Sequence, residues 1–218
     1  MNKTKVKILI PNSKESVRLP NKNRILRHYT LEWLEQEIKS LSSEYEVSVI
    51  ELRNSKVAVD TSQDNKYTYT ISPLYCPDEV SAEMRDLLAY EALHGSTSSL
   101  TILLQLTQPK RRLGLLESVI KATEANPDRL TATYTKQPLD LWRVLTPGMT
   151  NWQELIRGDD SLNYLAMYDG ALYGYTNHTL LWQHDKPKTM IENYKGTLID
   201  VDTLDDYKKF MITETDNY

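Results

Sequence analysis

Apolar and polar positions along this chain switch between two periods, and the switches outline its elements. Residues 5–10, Lys-Val-Lys-Ile-Leu-Ile, form a short apolar run that reads as a buried strand. A polar stretch from Pro11 to Arg27 lacks helical periodicity and reads as a loop. Leu31, Leu34, Ile38 and Leu41 then recur three and four residues apart, on one face of an amphipathic helix. Residues 47–50 predict a second strand, and 56–60 and 67–71 are further β-rich pieces. Over 78–94, Val80, Met84, Leu87 and Leu88 share a helical face, with Gly95 where a C′ glycine ends a helix. Residues 100–104, Leu-Thr-Ile-Leu-Leu, make the most apolar strand and therefore a central one. A helix over 113–125 stops near Asn126-Pro127, and 129–134 and 171–176 read as strands. A strand over 197–201 and a helix over 204–211 close the pattern.

Strand and helix alternate over most of the length, which predicts an α/β fold with a mostly parallel sheet covered on both faces. The stretch 136–169, rich in Trp, Pro and Gly, breaks the rhythm and reads as an inserted arm within a single domain spanning 1–218. The 40% hydrophobic and 26% charged residues describe a soluble globular chain. Its net charge of −4 provides no global field for nucleic acid or an anionic membrane, so an anionic ligand requires local cations. No apolar run approaches the ~20 residues of a membrane helix, and no signal-peptide core is seen. The lone Cys76 excludes an internal disulfide and fits a cytoplasmic protein.

Four constellations carry candidate chemistry. The loop after the first strand concentrates Lys14, Arg18 and Lys22 against a single Glu15, with Ser13, Ser16 and Asn23 as neutral hydrogen-bonding groups. Ligands of open α/β sheets bind beyond the carboxyl ends of strands, where this loop starts. It is neither a Walker A loop nor a G-x-G-x-x-G turn, and read alone it is either a triphosphate site or a solvated surface. Asp200 and Asp202 alternate with Ile199 and Val201, so both carboxylates project to one side. Like charges so placed suit a bridging magnesium ion, the other reading being an exposed strand. After the central strand come Gln105, Thr107 and the cations Lys110, Arg111 and Arg112. These cations are either a surface run at a helix entry or an anion site, and the second is favoured because cations at a helix N-terminus oppose the macrodipole. Asp169 and Gly170 turn into the strand holding Tyr173.

Taken in order, these features resemble the acylneuraminate cytidylyltransferase family, which includes the CMP-sialic acid synthetases. Its first-loop pattern A-R-x-x-S-x-x-L-P-x-K-N is met at Ser16, Leu19, Pro20, Lys22 and Asn23. Its L-L-Q-x-T-x-P-x-R is met at Leu103, Leu104, Gln105, Thr107, Pro109 and Arg111. Its N-G-A-[IL]-Y is met at Gly170, Ala171, Leu172 and Tyr173, and its I-D-[IV]-D-T-x-x-D at Ile199, Asp200, Val201, Asp202, Thr203 and Asp206.

The resemblance implies a three-layer, Rossmann-like nucleotide-diphosphosugar transferase fold with a small dimerisation extension at 136–169, and hence a homodimer. It implies transfer of CMP from CTP to sialic acid, another keto-acid sugar or a similar small acceptor, with release of pyrophosphate. Lys22, Arg18, Asp200 and Asp202 would be catalytic, with Mg²⁺ on the two aspartates. Asn12, Ser13, Lys14, Ser16, Arg18, Lys22 and Asn23 would surround the nucleotide, and Gln105, Thr107, Arg111, Asp169 and Tyr173 the acceptor. The chain departs from the pattern at Ser13, where the family has Arg, and at Asp169, where it has Asn. Two other readings stand beside this one: a nucleotide-binding protein of the same fold without turnover, and a glycosyltransferase using Asp200-Val201-Asp202 as its metal motif.

Overall fold

The structure is a computed structural model of the 218-residue chain. It describes residues 3–12, 18–53, 59–64, 67–72, 100–138, 155–156, 164–176, 188–196 and 198–215. Among them lie β1 (Thr4–Asn12), α1 (Lys22–Ser40), β2 (Tyr45–Arg53), β3 (Val59–Asp64), β4 (Tyr67–Ser72) and β5 (Leu100–Leu104). They are followed by α2 (Leu115–Ala125), β6 (Leu130–Pro138), β7 (Leu155–Ile156), β8 (Tyr164–Thr176), β9 (Lys188–Lys195) and α3 (Leu204–Thr215). The helix expected over 78–94 lies outside the described residues, as do 139–154 and 157–163 of the expected arm.

One sheet joins the strands in the order β3-β4-β2-β1-β5-β8-β6-β9, with β7 beside β8. Strands β4, β2, β1 and β5 run parallel, as do β6 and β9. β8 enters antiparallel between β5 and β6, and β3 closes the far edge antiparallel to β4. The expected α/β fold is therefore present.

Register explains the core. Val6 pairs with Val47 and Leu100, and Ile8 with Val49 and Ile102, so mostly β-branched side chains line up across three strands on one face. On that face pack Leu26, Leu34 and Ile38 of α1, Leu115, Leu116, Val119 and Ile120 of α2, and Phe210 of α3, all buried. Phe210, the only phenylalanine in the chain, meets the Tyr29 ring edge-on with centroids 5.0 Å apart. Leu9 and Leu103 on the opposite face are also buried, as strands covered on both sides require. Gly174 of β8 lets α2 approach closely: a Cβ there would stand 2.2 Å from Thr123 Oγ1.

Two expectations need correcting, and one strand had not been expected. Helix α1 begins at Lys22, inside the stretch read as loop, because Asn21 takes a left-handed conformation (φ 61°) that starts a turn the apolar pattern does not mark. Strand β9 carries no apolar signature: most of its residues are half-buried, and its buried position holds polar Asn193. Residues 198–202 form no strand ladder, although the alternation persists, with Ile199 and Val201 buried and Asp200 exposed. A backbone bond, Val201 N–H to Thr107 O at 2.9 Å, ties that segment to the loop after β5.

Candidate active site

β1 and β5 are parallel neighbours, so the loops that follow them emerge at the same edge of the sheet. Residues 199–203 cross in front of that edge. Lys22, at the start of α1, donates to Asp202 Oδ1 at 2.7 Å, and Arg18 Nη2 lies 2.9 Å from Asp202 Oδ2. Two cations from the first loop thus bracket one carboxylate from the far end of the chain. Asp200 sits beside them, near the Thr107 side chain. The protein crowded around its carboxyl, and then the charge of Asp202, push its pKa up to about 6, although solvent still reaches the residue.

Local sequence explains this geometry. Thr203 and Asp206 form a capping box at the start of α3: Asp206 Oδ2 accepts from Thr203 N–H at 2.9 Å and Thr203 Oγ1 at 2.7 Å, and Asp206 N–H returns a bond to Thr203 Oγ1. Thr-x-x-Asp therefore fixes where the preceding aspartates leave the helix. The first turn of α1 has no acidic residue and no side-chain cap, so its positive end faces the same space as Arg18 and Lys22.

The loop from Gln105 to Gly114 is held by a polar stripe on α1. Thr30, Trp33 and Glu37, three and four residues apart, share one helical face. Arg111 donates to Thr30 Oγ1 at 3.3 Å and to Gln105 O, and lies over the Trp33 ring at 5.2 Å. Trp33 Nε1–H donates to Arg112 O at 3.2 Å. Glu37, buried, accepts from Gly114 N–H at 2.6 Å and Leu116 N–H at 2.8 Å. An internal carboxylate thus occupies the N-terminus of α2. Glu37 gave no signal in the sequence beyond lying among apolar residues on the buried face of α1.

The expected acceptor residues divide. Gln105 and Tyr173 come together over Gly170, whose missing Cβ would stand 2.8 Å from Gln105 Oε1 and 3.5 Å from Tyr173 Oη. Gly170 has φ +67°, so glycine is required there on both counts. Arg111 is committed inward as described; burial lowers its pKa, against the opposing charge of Asp169. Asp169 is only 3% exposed, and its carboxylate takes bonds from Thr133, Thr135 and Asn193 side chains and from Ala171 N–H. Its place is inside the protein rather than against an acceptor, because four protein donors already surround it. Neither Thr133, Thr135 nor Asn193 stood out in the sequence, since isolated threonines and asparagines carry no spacing signal.

On the nucleotide side, Arg18 and Lys22 converge as described, and Asn23 lies in the first turn of α1. Asn12 ends β1 with its amide given to buried Glu51, which also receives Arg27 Nε at 3.0 Å. Ser13, Lys14 and Ser16 lie outside the described residues. Among the described residues no cluster of three or more His, Cys, Asp or Glu side chains forms, and no helix is long and apolar enough to cross a membrane.

The architecture around this site is shared with solved structures. CMP:2-keto-3-deoxy-manno-octonic acid synthetase, solved with CTP, superposes with a TM-score of 0.58 at 16% identity, over 99% of this chain and 100% of that one. The fold is that of the nucleotide-diphosphosugar transferases. The 2-C-methyl-D-erythritol 4-phosphate cytidylyltransferase of Thermus thermophilus gives 0.50 at 12% identity, covering 98% of each chain. No protein-family model matches the sequence, and no curated protein matches it.

Proposed function

We propose that this chain is a cytidylyltransferase that moves CMP from CTP to a small acceptor and releases pyrophosphate. The observation that carries the reading is the convergence of Arg18, Lys22, Asp200, Asp202 and Thr107 from three distant segments at the carboxyl edge of β1 and β5. The structural likeness to two CTP-using or cytidylyl-transferring enzymes supports that choice of nucleotide. Arg18, Lys22 and the uncapped start of α1 would take the charge of the triphosphate, exchanging their present partner Asp202 for phosphate oxygens. An acceptor hydroxyl oxygen would then bond to the α-phosphorus as the bond to the β-phosphate oxygen breaks, the hydroxyl proton passing to water. Positioning and charge neutralisation supply most of such catalysis.

Asp200 and Asp202 are the residues that would hold a divalent cation. Two oxygen-bearing carboxylates, close enough for one to raise the pKa of the other, suit a hard ion that takes its remaining ligands from phosphate and water. Magnesium bound there would neutralise charge on the phosphates. Gln105 and Tyr173, beside Gly170, border the place proposed for the acceptor and carry groups that hydrogen-bond its oxygens. An acidic sugar is the acceptor class of the sequence resemblance, and a dimer contact is proposed for the arm read over 136–169, whose two ends belong instead to β6 and β8 of the sheet.

The test is pyrophosphate release with each of the four nucleoside triphosphates, Mg²⁺ and a panel of keto-acid sugars and sugar phosphates. Turnover specific for CTP supports the proposal. Failure of CTP and Mg²⁺ to raise the melting temperature sinks it, since saturation a hundredfold above Kd stabilises by ~2.7 kcal/mol.

A further inference from the structure

Asp169 is buried among four protein donors, and its bonds lead toward the site by two routes. It is carried by an irregularity in β8. Tyr168 pairs with Tyr134, yet Tyr173 already pairs with Ala132, so extra residues of β8 bulge out between them. Gly170, at φ +67°, makes the bulge possible and turns Asp169 inward.

The first route runs through Thr135 and Tyr194. Thr135 Oγ1 donates its proton to Asp169 Oδ2 at 2.9 Å. Tyr194 lies beside Thr135, close enough for the threonine side chain to act on its pKa. The phenol oxygen of Tyr194 in turn accepts from Ile199 N–H at 3.3 Å, the residue before Asp200. Tyr194 therefore stands between the Asp169 cluster and the backbone just before Asp200.

The second route runs through Asn193, which is buried. Its Nδ2 donates to Asp169 Oδ2 at 2.9 Å and to Lys110 O at 3.2 Å, and its Oδ1 accepts from Arg112 N–H at 3.1 Å. It grips the β5–α2 loop on both sides of Arg111, whose guanidinium holds Gln105 O. Thr107, in the same loop, meets both Val201 and Asp200.

We propose that Asp169 is a positioning residue: through Thr135–Tyr194 and through Asn193 it fixes Asp200 and the Gln105–Thr107 edge in their working places. The kinetic consequence rests on the cytidylyltransferase reading, but the positioning itself is a property of the ligand-free protein. It is tested there by hydrogen exchange on Asp169→Asn, Tyr194→Phe and the double variant. Asp169→Asn should raise exchange at Ile199, Val201 and Arg112 tenfold or more, while Ile8 and Val49 in β1 and β2 stay within twofold. Tyr194→Phe should reproduce the change at Ile199 and Val201 and spare Arg112, which it does not touch. The double variant should be no worse than Asp169→Asn at Ile199, because both substitutions cut one chain.

Exchange unchanged at Ile199 and Val201, or raised equally in β1 and β2, overturns the proposal, since the second pattern is general loss of stability. If Asp169→Asn does not fold, Tyr194→Phe carries the same decision at Ile199. In an active enzyme Asp169→Asn should also lower kcat tenfold or more with the KM for CTP within threefold. An equal rise in KM overturns it. Absence of any pyrophosphate release from the wild-type protein counts against the cytidylyltransferase reading and leaves the exchange result to decide the role of Asp169.

Discussion

Replacing Glu37 tests how the loop that borders the site is held. Its side chain is buried, and its two oxygens accept from the first free N–H groups of α2, at Gly114 (2.6 Å) and Leu116 (2.8 Å). Those donors have no partner inside their own helix. A hydrogen bond to a charged group contributes about 1.5–3 kcal/mol, and a buried donor stranded without one costs a similar amount. Glu37→Ala removes both acceptors and leaves a gap too enclosed for water to replace them well. The expected loss is therefore about 3–5 kcal/mol. Glu37→Gln keeps the shape and one acceptor but turns an N–H toward the other donor, for a loss of about 2 kcal/mol. Urea unfolding reads this directly: at a slope near ~3 kcal/mol per M, Glu37→Ala should lower the midpoint by about 1 M or more, with the slope unchanged. A loss below about 0.5 kcal/mol for Glu37→Ala would show that the α2 N–H groups find other partners, and the account of the loop would be wrong.

Other consequences can be checked as simply. Gly174→Ala puts a Cβ 2.2 Å from Thr123 Oγ1 and should cost about 1–3 kcal/mol by overpacking, read as a lower melting temperature. Adding Thr123→Ala, which removes the clashing oxygen, should recover part of it. Asp200→Asn combined with Asp202→Asn should slow pyrophosphate release at least a hundredfold, in line with several kcal/mol lost with a metal clamp. A rate within threefold of wild type would remove the metal role. Lys22→Met should weaken CTP binding more than Arg18→Met, because Lys22 is 12% exposed and Arg18 69%; equal effects in calorimetry would refute that ranking.

The pH dependence has a definite sign. Asp200 titrates at about 6 in the folded protein against 3.8 as the ordinary value, so between these the folded state holds a proton that the unfolded chain has released. Stability from this group is present at low pH and is lost as pH rises through 6. Asp200→Asn should flatten that part of the urea-midpoint profile; an identical profile would mean that Asp200 is not the group responsible.

What could be read in advance follows from how information is stored in the chain. Residues 100–104 announce a central strand because nearly every side chain is apolar, and the structure buries them all. The spacing of Leu31, Leu34 and Ile38 gives the buried side of α1, but not its start, which depends on the backbone of Asn21. β9 escapes because it lies at the sheet edge and buries an asparagine where a pattern reader looks for leucine. The site shows the same division. Lys22 and Asp202 were visible as charges within ordered motifs, whereas the roles of Glu37, Asn193 and Tyr194 exist only once strands and helices are packed. Arg111 and Asp169 were expected against the acceptor and face inward instead, because a sequence cannot tell a charge facing ligand from one facing the protein.

The contact between Lys22 and Asp202 joins residues 180 positions apart. During synthesis, then, Arg18 and Lys22 must wait for their carboxylate until residues 199–215 have left the ribosome. Only then can α3 dock Phe210 and Met211 against Tyr29 and bring the two aspartates across. A nascent chain halted before that point holds most of its sheet but neither aspartate of the candidate metal site. It would have the scaffold of the proposed enzyme without the aspartates that the proposed triphosphate site needs, and its uncovered α1 face would be a surface for chaperones. On the proposed reading, competence would arrive in one late step, when α3 closes on α1.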